Sequence, residues 1–242
     1  MERNILYTKQ DFKALFQKIG IRKGDVVLAQ IDLSGLQTVI SSEQAVIEAL
    51  QETVESQGCI IVPTFSRSCL DPSCVQASPI DYEDWSTVRE NIIGFRPDLT
   101  PSDKHPLFSN QFLKNHQVTR TGHPVYSFAY WGKMDSKWLE QTMDFPVSFR
   151  HVLRPFAYDQ AKNILMGVKK EESVLLPAIA KTMKQGQTMI ERAFYKENKK
   201  TKVKNFLHTD LQPQQVQNCL DLCYIKSYEF KDIDIYVMTL DQ

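Results

Sequence analysis

The chain has 242 residues, 42% hydrophobic and 24% charged, which is enough to bury a sizeable core and excludes disordered and fibrous classes. Its 29 Lys and Arg balance 29 Asp and Glu, so the basic excess of a protein that neutralises many nucleic-acid phosphates is missing. No apolar stretch approaches the ~20 residues of a membrane helix, and the first ten residues lack the apolar core of a secretory signal.

Along the chain, Thr8 and Asp11 read as a helix-capping pair, and Phe12, Leu15, Phe16 and Ile19 follow at helical spacing before Gly20. Residues 26–33 form an apolar run between Gly24 and Gly35, a candidate buried strand. Ser41 and Gln44 give the next capping signal, Val46, Ile47, Leu50 and Val54 line one helix face, and Gly58 ends it. Residues 59–62 are a second apolar strand, halted at Pro63. Strand, helix and strand at this spacing make a βαβ unit, and predict an α/β fold with a predominantly parallel central sheet flanked by helices.

Residues 69–79 have no period and two prolines, which predicts a surface loop. Residues 95–124 carry four prolines and three of the five histidines, and long irregular stretches of this kind tend to be functional. Residues 163–168 read as a strand, and 213–225 as a helix with Val216, Leu220 and Cys223 on one side. Residues 233–240 suit an antiparallel edge or hairpin strand. With no repeat, low-complexity tract or linker, residues 1–242 count as one domain.

The five cysteines, Cys59, Cys69, Cys74, Cys219 and Cys223, are odd in number and irregularly spaced, as expected in a reducing, cytoplasmic setting. Neither the 69/74 nor the 219/223 pair has the Cys-x2-Cys spacing of a zinc knuckle, so no metal is expected. Nucleotide fingerprints of the Gly-x-Gly-x-x-Gly and Gly-x4-Gly-Lys-Ser/Thr types are missing. The basic run 199–204 reads as a solvated hairpin or loop, with phosphate docking as the alternative, and the acidic stretch 81–85 as simply solvated, with attraction of a cationic amine sugar as the alternative. His151 and His208 read as surface residues.

The most informative segment is Thr119-Arg120-Thr121-Gly122-His123-Pro124-Val125-Tyr126-Ser127-Phe128. It resembles the Arg-Ser-x-His-Pro-x-x-Ser-Phe signature of the aminoglycoside 3-N-acetyltransferase family, and other family landmarks follow in order: Gly24-Asp25-Val26-Val27-Leu28, Pro63-Thr64-Phe65, Phe95-Arg96-Pro97 with Thr100-Pro101, and Leu165-Met166-Gly167-Val168. The resemblance implies transfer of an acyl group from acetyl-coenzyme A to an amine of an aminoglycoside or similar small molecule, with antibiotic resistance as a family-level property. Such chemistry needs a base near pH 7 and donors for a developing oxyanion. It implies His123 as general base, and Thr64, Arg120, Thr121 and Ser127 beside the coenzyme.

The chain departs from the family where that base would be supported. Gln30 and Asp32 stand where the family's first strand ends His-Ser-Ser-Leu, Asn110 replaces a glutamate, and Leu176 and Ile179 fall on a Thr-x-x-His-x-x-Glu segment. Asp32, Glu171 or Glu172 are candidate substitutes to orient His123. Two alternatives stand beside the enzyme reading: a relative that binds its ligand without turnover, and a same-fold enzyme using a different donor or acceptor in polysaccharide or secondary-metabolite assembly. The acceptor and oligomeric state are not legible in the sequence.

Overall fold

The structure, a computed structural model, describes residues 5–136, 156 and 161–240. It opens with β1 (Leu6–Tyr7), α1 (Lys9–Lys18), β2 (Val26–Ile31), β3 (Thr38–Val39), α2 (Ser42–Val54) and β4 (Cys59–Pro63). The first helix starts as its sequence dictates: the Thr8 hydroxyl accepts from Asp11 N at 3.4 Å and the Asp11 carboxylate accepts from Thr8 N at 2.8 Å. Replacing Thr8 with Ala is expected to cost about 1 kcal/mol, read as a lower urea midpoint at unchanged slope. The second helix starts differently. Ser41 is left-handed at φ 66° and its hydroxyl makes no cap bond. Gln44 instead accepts from Gln111 at 2.9 Å and Asn115 at 3.1 Å, because these tertiary partners displace the local cap.

The middle of the chain supplies α3 (Trp85–Asn91), α4 (Pro106–Leu113), β5 (Thr119–Arg120), β6 (Phe128–Gly132) and β7 (Lys162–Met166). It is followed by α5 (Leu176–Thr182), β8 (Gln187–Glu197), β9 (Lys200–Asp210), α6 (Pro213–Leu220), β10 (Cys223–Phe230) and β11 (Ile233–Leu240). Among the described residues the main sheet has seven strands in the order β10, β11, β7, β2, β4, β6, β5. Its centre, β7–β2–β4, is parallel, and both flanks are antiparallel. β2, β4, β5, β7 and β10 point one way, β6 and β11 the other. The expected α/β sheet with parallel strands is therefore present, with antiparallel strands closing both sides.

β2 is buried along its whole length because both faces are covered. Val27, Ala29 and Ile31 pack with Phe12 and Phe16 of α1, Ile47 and Leu50 of α2 and Phe112 of α4. Leu28, with Ile61 and Phe128, packs on the other face with Leu176 and Ile179 of α5, Leu220 of α6 and Phe206 of β9. Gly167, just past β7, has φ +65°, and a Cβ there would lie 2.1 Å from Asp32 O, so only glycine lets the exits of β2 and β7 approach this closely.

Several sequence expectations are revised by packing. The irregular 95–124 stretch contains α4, opened by Pro106 at a position where its missing N–H costs nothing. The predicted 213–225 helix ends at Leu220, and Cys223 and Ile225 belong to β10, paired with β11. Residues 233–240 do form a hairpin strand, but β10 takes the edge. The 69–79 loop is buried from Cys69 to Pro72. His208, expected at the surface, is 9% exposed. His151 lies outside the described residues. β8 and β9 form a separate hairpin whose two-residue tip, Asn198 and Lys199, has φ 50° and 64°, and its exposed outer half carries the basic run. None of the described helices is long and apolar enough to cross a membrane.

Candidate active site

The end of β4 and the 119–128 turn meet because Thr64 N donates to Ser127 O at 2.9 Å. Thr64 Oγ1 lies 3.1 Å from Ser127 Oγ, which donates to Thr64 O at 2.7 Å. Thr121 Oγ1 accepts from Phe128 N at 2.9 Å. Arg120 binds the whole network: Nε donates to Thr64 Oγ1 and Ser127 Oγ, Nη1 to Pro97 O and Thr100 O, and Nη2 to Thr64 O and Ser66 Oγ. The guanidinium also stacks on Phe95, 4.8 Å from its centroid. All five of its N–H donors are thus engaged within the protein. Burial pulls its pKa down to about 10, which leaves it cationic at neutral pH.

Of the four residues expected beside the coenzyme, Thr64, Arg120 and Ser127 are therefore joined in one largely buried scaffold rather than a row of exposed donors, while Thr121 bonds Phe128. Arg120 fixes the 95–101 loop to β4. Sequence reading passed over Ser66 and had Phe95 only as a family landmark; their roles appear only when three chain segments converge. A cavity of about 290 Å³ is lined by Ser68, Cys69, Ile92, Arg96, Leu99 and Thr100 among others. Burial raises the Cys69 thiol to about 11, so it offers no thiolate there.

His123 is fully buried, and its Nδ1 accepts from Val125 N at 3.2 Å and Tyr126 N at 2.9 Å. A neutral imidazole accepting at Nδ1 carries its proton on Nε2. In this arrangement Nδ1 is taken up by the backbone of its own turn. Asp32 does not orient it. The Asp32 carboxylate accepts from Ser34 N at 2.9 Å, and the imidazole that feels its charge is His105. Glu171 and Glu172 are exposed and neither bonds His123; Glu172 acts on Lys104 instead. His105 is left-handed at φ 45°, and burial, with Lys104 adding to it and Asp32 opposing, lowers its pKa to about 4.

The departing positions have taken structural roles. The Gln30 amide donates to Glu172 O at 3.1 Å and accepts from Val174 N at 2.9 Å. Asn110 ties both backbone groups of Ser102 at 2.8 Å. Leu176 and Ile179 lie in the core.

Against His123 lies a polar cluster that sequence reading missed. The Tyr126 hydroxyl donates to Glu191 Oε2 at 2.9 Å, and the His208 ring stacks on Tyr126 at 5.0 Å. Phe206 meets the His123 ring edge-on at 4.9 Å. The available signal was the alternation Glu191-x-Ala193 and Phe206-x-His208, which puts a carboxylate and an imidazole on one apolar hairpin face.

Residues 28–237 match the aminoglycoside 3-N-acetyltransferase family. The chain is 29% identical over 168 residues, 69% of its length, to the SPbeta prophage-derived aminoglycoside N(3')-acetyltransferase-like protein YokD of Bacillus subtilis (strain 168), and the match spans 62% of that relative. The crystal structure of YokD superposes with a TM-score of 0.86 at 22% identity, covering 98% of this chain and 90% of that one. Sisomicin-bound AAC-VIa gives 0.80 at 14% identity, covering 97% and 94%. AAC-IIIb in its binary complex with CoASH gives 0.76 at 13%, covering 97% and 92%. At these identities the structural likeness is one of fold.

Proposed function

The chain belongs to the aminoglycoside 3-N-acetyltransferase family, and from that we propose that it transfers an acetyl group from acetyl-coenzyme A to an amine of a small aminosugar- or antibiotic-like molecule. The observation that carries this reading is the convergence of Thr64, Arg120 and Ser127 on one network beside the turn that holds His123, a turn that Thr121 closes through Phe128 N. A rigid frame of this kind fixes the neighbouring groups without reorganisation, which is what stabilisation of a developing charge requires. In this role His123 donates a hydrogen bond from Nε2–H to the oxyanion formed when an amine attacks the thioester carbonyl. The 95–101 loop, pinned by Arg120 and bearing Arg96 and a cavity of about 290 Å³, supplies part of the donor's seat. As one unit of residues 1–242 the protein would act on its amine in the cytoplasm.

The reading is tested by adding acetyl-coenzyme A to the pure protein. Binding raises the melting temperature by mass action, by about 2.7 kcal/mol of stabilisation at a hundredfold excess over Kd. Thiol release on adding sisomicin or another amine then reports turnover. A second reading, a binding protein without turnover, is favoured by the structural use of Gln30, Asn110, Leu176 and Ile179, and predicts stabilisation with no thiol release. A protein that acetyl-coenzyme A leaves unstabilised would instead use a different donor.

A further inference from the structure

With His123 a donor, the site needs another group to take the amine's proton. Among the described residues two carboxylates are buried, Asp71 and Glu191. Asp71 is held by Arg89 at 2.8 Å. Among the described residues, no cation lies within ion-pair distance of Glu191, which is 1% exposed. Its Oε2 has the Tyr126 hydroxyl, while its Oε1 is buried without a hydrogen-bond partner. His208 Nδ1 is buried and partnerless as well.

Both atoms belong to one hairpin face. β8 and β9 pair Glu191 with Phe206 and Met189 with His208, so Glu191 and His208 are diagonal neighbours on the side packed against Tyr126. Orphaned buried polar atoms are uncommon in native folds and call for a partner. An anion would be repelled by a carboxylate, and an apolar ligand would leave both atoms unsatisfied. A primary amine fits: its N–H groups donate to the carboxylate oxygen and to the imidazole nitrogen.

We propose that Glu191 and His208 form the subsite for the acceptor amine, with Glu191 as the base that removes its proton. This rests on the acyl-transfer reading above. The amine, having lost one proton to water, attacks the thioester carbon. As the C–N bond forms, the carbonyl pair moves to oxygen and Glu191 takes a proton from nitrogen. The C–S bond then breaks, sulfur leaves with the electron pair, and it receives that proton from Glu191.

The charged surroundings suit the task. Burial raises the Glu191 carboxyl to about 7, opposed by the Tyr126 hydrogen bond and by Arg67 and assisted by Asp210. A base near the working pH is the effective one. Burial also lowers His208 to about 4, with Asp210 and Arg67 acting in opposite senses, so its ring is a neutral acceptor. Cys74, which feels the Glu191 charge, is raised chiefly by burial and is a neutral thiol at neutral pH.

Glu191→Gln is the test, because the amide still accepts from Tyr126 and removes an unpaired buried acid, so the fold and the acetyl-coenzyme A thermal shift should persist. With acetyl-coenzyme A and sisomicin, kcat/KM should fall by about 10²–10⁴, and the acidic limb near pH 7 should vanish from the rate profile. Activity within threefold of wild type and an unchanged profile would overturn the proposal while leaving the acyl-transfer reading intact. If wild type binds acetyl-coenzyme A but releases no thiol, the acyl-transfer reading fails, and with it Glu191's role as base. Calorimetry with sisomicin then decides the subsite: weakening by at least about tenfold in Glu191→Gln supports it, whereas equal affinity, or no binding to wild type, overturns it. A wild type that neither binds acetyl-coenzyme A nor releases thiol overturns both.

Discussion

Replacing Arg120 with Ala is expected to destabilise the protein by about 4 kcal/mol, a loss at the upper end for single substitutions. The guanidinium joins β4, the 95–101 loop and the 119–128 turn through Thr64, Ser66, Pro97, Thr100 and Ser127. Alanine would leave Thr64 O and Ser66 Oγ with fewer donors in a buried setting, and each unsatisfied acceptor costs about 1–3 kcal/mol. The gain from no longer burying a cation offsets part of this. The melting temperature should fall by roughly 10 °C. Arg120→Lys should recover less than half, because an ammonium is a single point with three donors and cannot reach acceptors spread around a planar fork. A loss below about 1 kcal/mol in urea denaturation would show that the network does not hold the loop, and would remove the scaffold argument for the donor seat.

The second large effect is expected at Arg89. Its Nε and Nη2 donate to the two oxygens of Asp71 at 2.9 and 2.8 Å, and the Asp71 side chain is fully buried. Arg89→Ala strands that carboxylate, and the melting temperature should fall. Asp71 N also donates to Arg192 O at 2.9 Å, so the loss would reach the hairpin next to Glu191. The Arg89 bonds, aided by Ser73, hold the Asp71 carboxyl well below the usual carboxylate range. A depressed carboxyl contributes its full stability above the unfolded-chain value of about 4, and loses it as pH falls through the lower folded value. The difference in melting temperature between wild type and Arg89→Ala should thus be constant from about pH 5 to 8 and narrow toward about pH 2. A gap that stays wide at the acid end would mean that the ionised pair is not its source.

Local rules and ordered motifs determined much of this protein. The Thr8–Asp11 cap, the apolar stripe of α1, the strands at 26–31 and 59–63, and the landmarks from Gly24 to Val168 are each written in neighbouring residues. They specify the βαβ centre and carry the marks of the family. Single side chains in the site could not be assigned this way, because their roles depend on what the chain brings to them from far away. Arg120 is a clamp because Phe95 and Thr100 lie against it, Gln30 is a backbone bracket because Val174 passes beside it, and the His123 ring is held because its own turn directs two amides at Nδ1. Glu191 is separated from Tyr126 by 65 positions, and its burial and protonation follow from a hairpin docking that no local pattern encodes. Local sequence fixes backbone form through short-range sterics and periodicity; burial and protonation state depend on which distant groups exclude water from a side chain, and those only the tertiary structure decided.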